Sequence, residues 1–514
     1  MSPPSAAAST VLPGIPDQRR LDRHLMRGIA WTGGMKWATQ VVSWATMLVV
    51  ARLLTPTDFG LVGAGAVFVG LVNLISELGL GAAIVQRRDL TEDQIARLGG
   101  MAALVGIGLS LVTVAASIPV AGFFRQGAVA GVVAAMSLTF ITSGLQVVPR
   151  SLMQKGLEFR RLALYDALQA IVGMVTTLGL ALAGFRYWSL VLSALLSSGI
   201  VTLVLLIHRP HRLALPREFG TIRSAVTFGW HIVVSRIAWY GYSNADFAIV
   251  GRVLGAATLG SYTFGWTMAS IPVDRVASLV SRVLPGVFSA IQDDPPALRR
   301  YVLRLTEGLA FITFPASIGL FMVGDDLVRV ALGSQWEAAI LPLRILAFYG
   351  GFRSITTIFS FLLIAVGKAR LSMMFSLLAL LVLPPLFYLG SRWGAPGVAA
   401  GWIVGYPIVM IPVYRTVFRI ISLRTRDYLK AILPPLGGVA AMVLAIAGLR
   451  LTLAAPWPAP IRLGVEVATG AAVYSAWVLL LYRDRFRNLM RIIRGRGEAS
   501  TQPVPSEDPS GAGS

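Results

Sequence analysis

Long apolar blocks separated by short polar stretches run through the whole chain, among them Val41–Val50, Met101–Val120 and Ala440–Leu449. Their lengths predict fourteen spans, at 29–51, 58–80, 98–120, 128–149, 162–184, 187–207, 225–251, 257–286, 302–324, 339–366, 371–390, 395–420, 430–450 and 461–482. An apolar run of about 20 residues matches the hydrocarbon thickness of a bilayer. Strands of a membrane barrel would alternate with a two-residue period, and these blocks do not. Only helices and closed barrels pair every backbone polar group inside lipid, so the blocks are read as transmembrane helices. Pro384, Pro385 and Pro396 interrupt two of them. Proline can kink a membrane helix without ending it.

The basic residues test this count. With the N-terminus cytoplasmic, the segments expected inside hold 31 Lys and Arg, running from Arg19, Arg20, Arg23 and Arg27 to the tail's Arg483–Arg496. The outside loops hold 8, namely Arg52, Arg125, Arg186, Arg252, Arg329, Arg392, Arg450 and Arg462. Cytoplasmic loops collect Lys and Arg for topological reasons, and one missed helix would scramble the bias. Both termini are therefore expected in the cytoplasm.

Residues 36–65 align without gaps to 236–265. Eight identities support the match: Ala38/Ala238, Ser43/Ser243, Ala45/Ala245, Val50/Val250, Arg52/Arg252, Leu54/Leu254, Gly60/Gly260 and Gly65/Gly265. This composition gives about three by chance. The alignment lays spans one and two on spans seven and eight. Six helices separate the copies, so both share one orientation, as in a parallel repeat about the membrane normal. The expected architecture is all-α and polytopic, with two six-helix lobes related by a pseudo-two-fold axis. Residues 1–27 form a disordered basic N-terminus and 28–208 the first lobe. A basic inter-lobe loop at 209–224 precedes the second lobe at 225–422. Two further helices occupy 423–483, and 484–514 is a basic, then disordered, tail.

Composition narrows the chemistry. Of 514 residues, 55% are apolar and 13% charged, against about 25% charged in soluble proteins. The net charge of +21 lies at helix ends and does not point to nucleic acid. Without cysteine, thiol chemistry and disulfides are excluded. His24, His208, His211 and His231 are scattered, and no metal or other cofactor is expected. No Gly-x-x-x-x-Gly-Lys-Ser/Thr, hydrolase triad or paired-carboxylate motif occurs, so the chain is expected to be a transporter driven by an ion or substrate gradient, not an enzyme.

Three stretches carry a family resemblance: Gly28 to Arg87, Gly251 to Arg304 and Leu332 to Ser354. They resemble polysaccharide exporters of the multidrug/oligosaccharidyl-lipid/polysaccharide superfamily, in particular the colanic-acid-exporter-like branch of Wzx-type flippases. With the span pattern, the likeness covers about residues 28–420. It implies two lobes around a central cavity. It also implies transfer of a polyprenyl-diphosphate-linked oligosaccharide to the periplasmic leaflet, in possible company with a polysaccharide polymerase or co-polymerase. One departure is that Gly260-Ser261-Tyr262 is followed by Thr263, Phe264 and Gly265, where family members usually carry an arginine.

Ionisable residues inside spans are the informative ones, because a charge at the bilayer centre costs about 2.5–3.5 kcal/mol on insertion scales. Lys36, Thr39, Gln40 and Ser43 share one helix face, and Arg236, Tyr240 and Ser243 repeat it in the second copy. Both cations should lie about 10 Å into the membrane from the cytoplasmic side. There Arg could fork onto a diphosphate and Lys act as a point charge. Snorkelling to the interface is the competing account. Span eight offers Asp274, Arg275, Ser278 and Arg282, read either as substrate contacts or as a structural ion pair. In span ten, Arg344 and Arg353 point to nearly opposite faces, and Arg353, near Thr356, Thr357 and Ser360, is the better candidate. Glu77 and Asp246 are the carboxylates that could couple an ion. A salt-bridge partner and a solvated rim residue are their ordinary alternatives. A cation-coupled multidrug exporter of the same fold is the competing function. The excess of intramembrane cations over Glu77, Asp246 and Asp274 favours an anionic substrate. A membrane glycosyltransferase or polymerase would need a large outside loop, and none is predicted.

Overall fold

The computed structural model describes residues 40, 42–76, 81, 84–85, 90–214, 220–452 and 457–483. They are helical, with no strand among them. The first helix is α1 (Val42–Leu53), followed by α2 (Pro56–Ser76), α3 (Glu92–Phe124), α4 (Ala128–Lys155), α5 (Phe159–Leu182), α6 (Tyr187–His208) and α7 (Gly220–Ile249). Next come α8 (Ala256–Ala290), α9 (Pro295–Ala331), α10 (Ile340–Ala365), α11 (Ala369–Gly390), α12 (Gly394–Ile420), α13 (Thr425–Thr452) and α14 (Ala459–Leu481). Each predicted span overlaps one of these helices. Ten stretches of the described residues are long and apolar enough to cross a bilayer, and one of them, Ala369–Ile420, contains both α11 and α12. The described part of α1 is short, and α7 and α8 are not among the ten. In α8 the cause is visible, since it opens on a run rich in Gly, Ser and Thr and then carries Asp274 and Arg275.

Helix ends follow local chemistry. Thr91 caps α3 in a reciprocal box: its hydroxyl accepts from the Gln94 backbone at 3.3 Å, and the Gln94 side chain accepts from the Thr91 backbone at 3.0 Å. Pro384 and Pro385 lie inside α11, which ends only at Gly390. Pro396 falls in the first turn of α12, where a missing N–H costs little. A π-helical turn, Val250–Leu254, joins α7 to α8, and Gly255 completes it at φ 88°. Where α4 turns into α5, Glu158 accepts hydrogen bonds from Arg209 and Arg161, and the Arg209 bond above all holds its carboxyl below the ordinary range.

The chain divides into two compact units. The first holds the described residues up to Phe264, with Ala331–Ala339 and Ser376–Gly401. Its interior is rich in small polar side chains. Ser110 and Ser137 meet at 3.2 Å between α3 and α4, and buried Gln146 donates to Thr202 at 2.8 Å while accepting from Arg150. Without water between them, membrane helices associate through such close packing and hydrogen bonds. The tightest approach joins the two sequence copies. A Cβ on Gly60 would overlap the Ala256 carbonyl, and one on Gly260 would overlap the Pro56 carbonyl. Pro56/Ala256 and Gly60/Gly260 are both 200 residues apart, so the contact is reciprocal. One step along, a Cβ on Gly63 would lie 3.3 Å from the Thr263 hydroxyl.

The second unit holds Gly265–Val330, Ile340–Phe375 and the described residues from Trp402 onward. It has a continuous apolar core that includes Phe288, Phe314, Phe359, Val417 and Tyr428. Pro315 removes the N–H that would pair with the Phe311 carbonyl. The Tyr474 hydroxyl of α14 donates to that carbonyl at 2.9 Å. Two ion pairs also hold α14. Arg450 binds buried Glu466 through two contacts of 2.8 Å, and Arg462 grips buried Asp326 of α9.

Candidate functional site

In the first unit the structure describes part of the predicted polar face. Lys36 and Glu77 lie outside the described residues. Gln40 is half-buried at the start of α1, and Ser43 points to Met174. Arg236 is exposed on α7. One turn on, Tyr240 packs against α2 at Gly70 and its hydroxyl donates to the Val67 carbonyl at 2.7 Å. The polar face of α7 is thus used in part for helix packing.

Asp246 departs from the rim-residue reading, because it is fully buried. Its Oδ2 accepts from the Tyr262 hydroxyl at 2.7 Å, and its Oδ1 accepts from the Phe247 backbone at 2.9 Å. Tyr262 is itself fully buried, with Phe247 at its ring edge. The carboxylate sits one turn before the π-helical segment, where the regular ladder gives way.

In the second unit the structure brings together two residues 79 positions apart. Arg353 of α10 pairs with Asp274 of α8 at 2.5 Å, and its guanidinium lies 5.5 Å from the Trp266 ring centroid. Asp274 is 62% exposed and Arg353 26%. Arg275 is exposed beside them, and its carbonyl accepts from Ser278. The Arg282 side chain lies outside the described set. Arg344 faces elsewhere, stacked on Phe321 and paired with Asp325 at 3.2 Å. The expected split between the two arginines of this span is therefore present.

Trp266, Tyr349, Trp402 and Tyr406 form one aromatic cluster, with Trp266 against Arg353, and sequence reasoning did not single them out. Tyr349 stacks on Trp402 at 4.9 Å and 25°, and Trp266 lies 5.5 Å from Trp402. Tyr406 meets Tyr349 edge-on and shares a hydrogen bond with Thr356. A signal was available: Tyr349/Arg353 and Trp402/Tyr406 are i, i+4 pairs, and Trp266 stands two turns before Asp274. Among the described residues no cluster of His, Asp or Glu could hold a metal.

Fourteen helices among the described residues, most of them long and apolar, define a multi-pass membrane protein. The fold matches a solved structure of the lipid II flippase MurJ in an inward closed conformation, with a TM-score of 0.72 at 14% identity over 89% of this chain and 100% of that one. The chain belongs to the polysaccharide biosynthesis protein family, whose model matches residues 49–341. It is 26% identical to the teichuronic acid biosynthesis protein TuaB of Bacillus subtilis, over 92% of this chain and 98% of that protein. It is also 26% identical to the lipopolysaccharide biosynthesis protein WzxC of Escherichia coli, over 77% and 84% respectively.

Proposed function

We propose that this protein is a flippase that carries polyprenyl-diphosphate-linked oligosaccharide repeat units from the cytoplasmic to the periplasmic leaflet of a bacterial inner membrane. Two six-helix lobes, 28–208 and 225–422, alternate in exposing a central cavity to either side, and both termini are cytoplasmic. The observation that carries the reading is the set of cations inside membrane segments. Arg236 and Arg275 remain exposed and Arg353 partly so, in helices where lipid exposure of a charge would be costly. Such cations suit a diphosphate.

On this reading Lys36, Arg236 and Arg275 contact the head group, with Gln40 and Tyr240 beside them, and Arg353 contacts the substrate nearby. Glu77 and Asp246 are the candidates for ion coupling. The flipped product would pass to a polysaccharide polymerase. The reciprocal contact at Gly60 and Gly260 supports a two-fold relation between the lobes. The test is a flipping assay in proteoliposomes loaded with a lipid-linked glycan on one leaflet. Appearance of the glycan on the other leaflet only when the protein is present is the expected result, and equal leakage in empty liposomes would overturn the proposal.

A further inference from the structure

The flippase reading accounts for cations but not for the aromatic cluster that one of them stands on. Along α8, Trp266 is about 15 Å and Asp274 about 27 Å from the helix start at Ala256. Both lie within the predicted span 257–286, and Arg353 lies within 339–366. An ion pair with a side chain 62% exposed would be costly against hydrocarbon, so its open side faces water, in a cavity or at the head-group interface. Trp266 and Tyr406 are half-buried on the same patch, backed by Tyr349 and Trp402, which are 4% and 2% exposed. The patch therefore combines a rigid aromatic floor with an acceptor-only carboxylate 2.5 Å from a donor-only guanidinium.

That combination matches one chemistry closely. A pyranose presents C–H groups on one face, which pack on aromatic rings, and hydroxyls at its rim. Of two neighbouring hydroxyls, one can donate to a carboxylate while the next accepts from a guanidinium. A bare diphosphate would make no use of the rings, and the carboxylate already paired to Arg353 offers it no donor. We propose that Trp266, Asp274 and Arg353, backed by Tyr349, Trp402 and Tyr406, form a sugar-binding subsite for the glycan of a lipid-linked substrate, separate from the cations that meet its diphosphate. The subsite rests on the flippase reading and adds to it a source of glycan selectivity.

The test uses full-length protein in detergent and native mass spectrometry with three probes: undecaprenyl diphosphate alone, the same lipid carrying a neutral tetrasaccharide, and one carrying a uronic-acid tetrasaccharide. The wild type should bind at least one glycan-bearing lipid about tenfold more tightly than the bare lipid. Trp266→Ala and Asp274→Asn should each bring that preference to within about threefold while leaving bare-lipid affinity unchanged. Trp266→Phe, which keeps an aromatic ring, should retain part of it and guards against a folding failure in the alanine variant. Preference intact in Asp274→Asn and Trp266→Ala, or a wild type that binds bare and glycan-bearing lipids alike, would overturn the subsite and leave the flippase reading standing. A wild type that binds none of the three would bring down both.

Discussion

Arg52 and Arg252 stand 200 positions apart and do the same thing in opposite directions. Arg52, at the end of α1, donates from Nε to the Ala331 carbonyl at the end of α9, at 2.8 Å. Arg252, beyond α7, donates to the Phe123 carbonyl at the end of α3, at 2.6 Å. Each arginine thus reaches the C-terminal end of a helix distant in the chain. A cation at a helix C-terminus satisfies unpaired carbonyls and meets the negative end of the helix dipole.

Arg52→Ala and Arg252→Ala should each lower stability by about 0.3–1 kcal/mol. The double variant should lose the sum of the two, because the capped helices differ. Thermal unfolding followed by size-exclusion yield measures this. A loss at only one of the two positions would argue against equivalent roles.

Larger effects are expected where backbones touch. The nearest atoms to a Cβ at Gly60 or Gly260 are main-chain atoms, which cannot rotate away. Gly60→Ala and Gly260→Ala should therefore cost at least about 1–3 kcal/mol, the range for overpacking. Gly108→Ala, with open space around it, is the matched control and should melt with the wild type. Equal melting temperatures for all three variants would show that the crossing is loose.

Tyr262→Phe removes the hydroxyl that Asp246 accepts from and leaves a fully buried carboxylate one hydrogen bond short. A loss of about 1–3 kcal/mol is expected. Because the two side chains are in contact, adding Asp246→Asn should not cost the sum of the single changes. Strict additivity in the double-mutant cycle would mean that the bond contributes nothing.

Arg236 and Lys36 separate substrate binding from snorkelling. If they meet a diphosphate, Arg236→Ala should reduce export per folded protein by roughly ten- to a hundredfold, and Arg236→Lys less. Arg236→Glu should be worse than Ala because repulsion adds to the loss. Lys36→Ala should behave like Arg236→Ala. Export that falls only as far as protein abundance falls would identify both as interfacial residues.

Acid should loosen the joint before α5. Glu158 is held below its ordinary value, mainly by the hydrogen bond from Arg209, so its contribution is present above the ordinary carboxylate range and disappears as pH falls through the lowered value. Glu158→Gln should therefore melt below the wild type at neutral pH and converge with it in acid. A gap in melting temperature that persists unchanged at low pH would point to packing in place of charge.

The fold was legible because lipid imposes one rule on every span: an apolar run of sufficient length must be a helix. Even α11 and α12 separate between Gly390 and Gly394, in the gap between the predicted spans 371–390 and 395–420, and not at Pro384 and Pro385. The eight identities at an offset of 200 also marked Gly60 and Gly260 before their contact was visible. What the pattern could not supply was pairing in space. Nothing local tells Asp274 that its partner is Arg353 in another helix. A solvated rim stayed open as an alternative for Asp246 because depth along a helix says nothing about which neighbour covers it; the cover is Tyr262. The aromatic cluster stayed hidden for a related reason, since large rings in membrane helices are common and only their convergence distinguishes these.

Tyr474 has a consequence for biosynthesis. The Phe311 carbonyl that Pro315 leaves open belongs to α9, yet the hydroxyl that fills it arrives on α14, 163 residues later. Until α14 has entered the membrane, α9 carries an unanswered acceptor in a low-dielectric setting. The last two helices are then not an optional extension. A nascent chain halted after α12 would hold its apolar segments in the bilayer but should remain a target for membrane quality control, and maturation of the second unit would wait for α14.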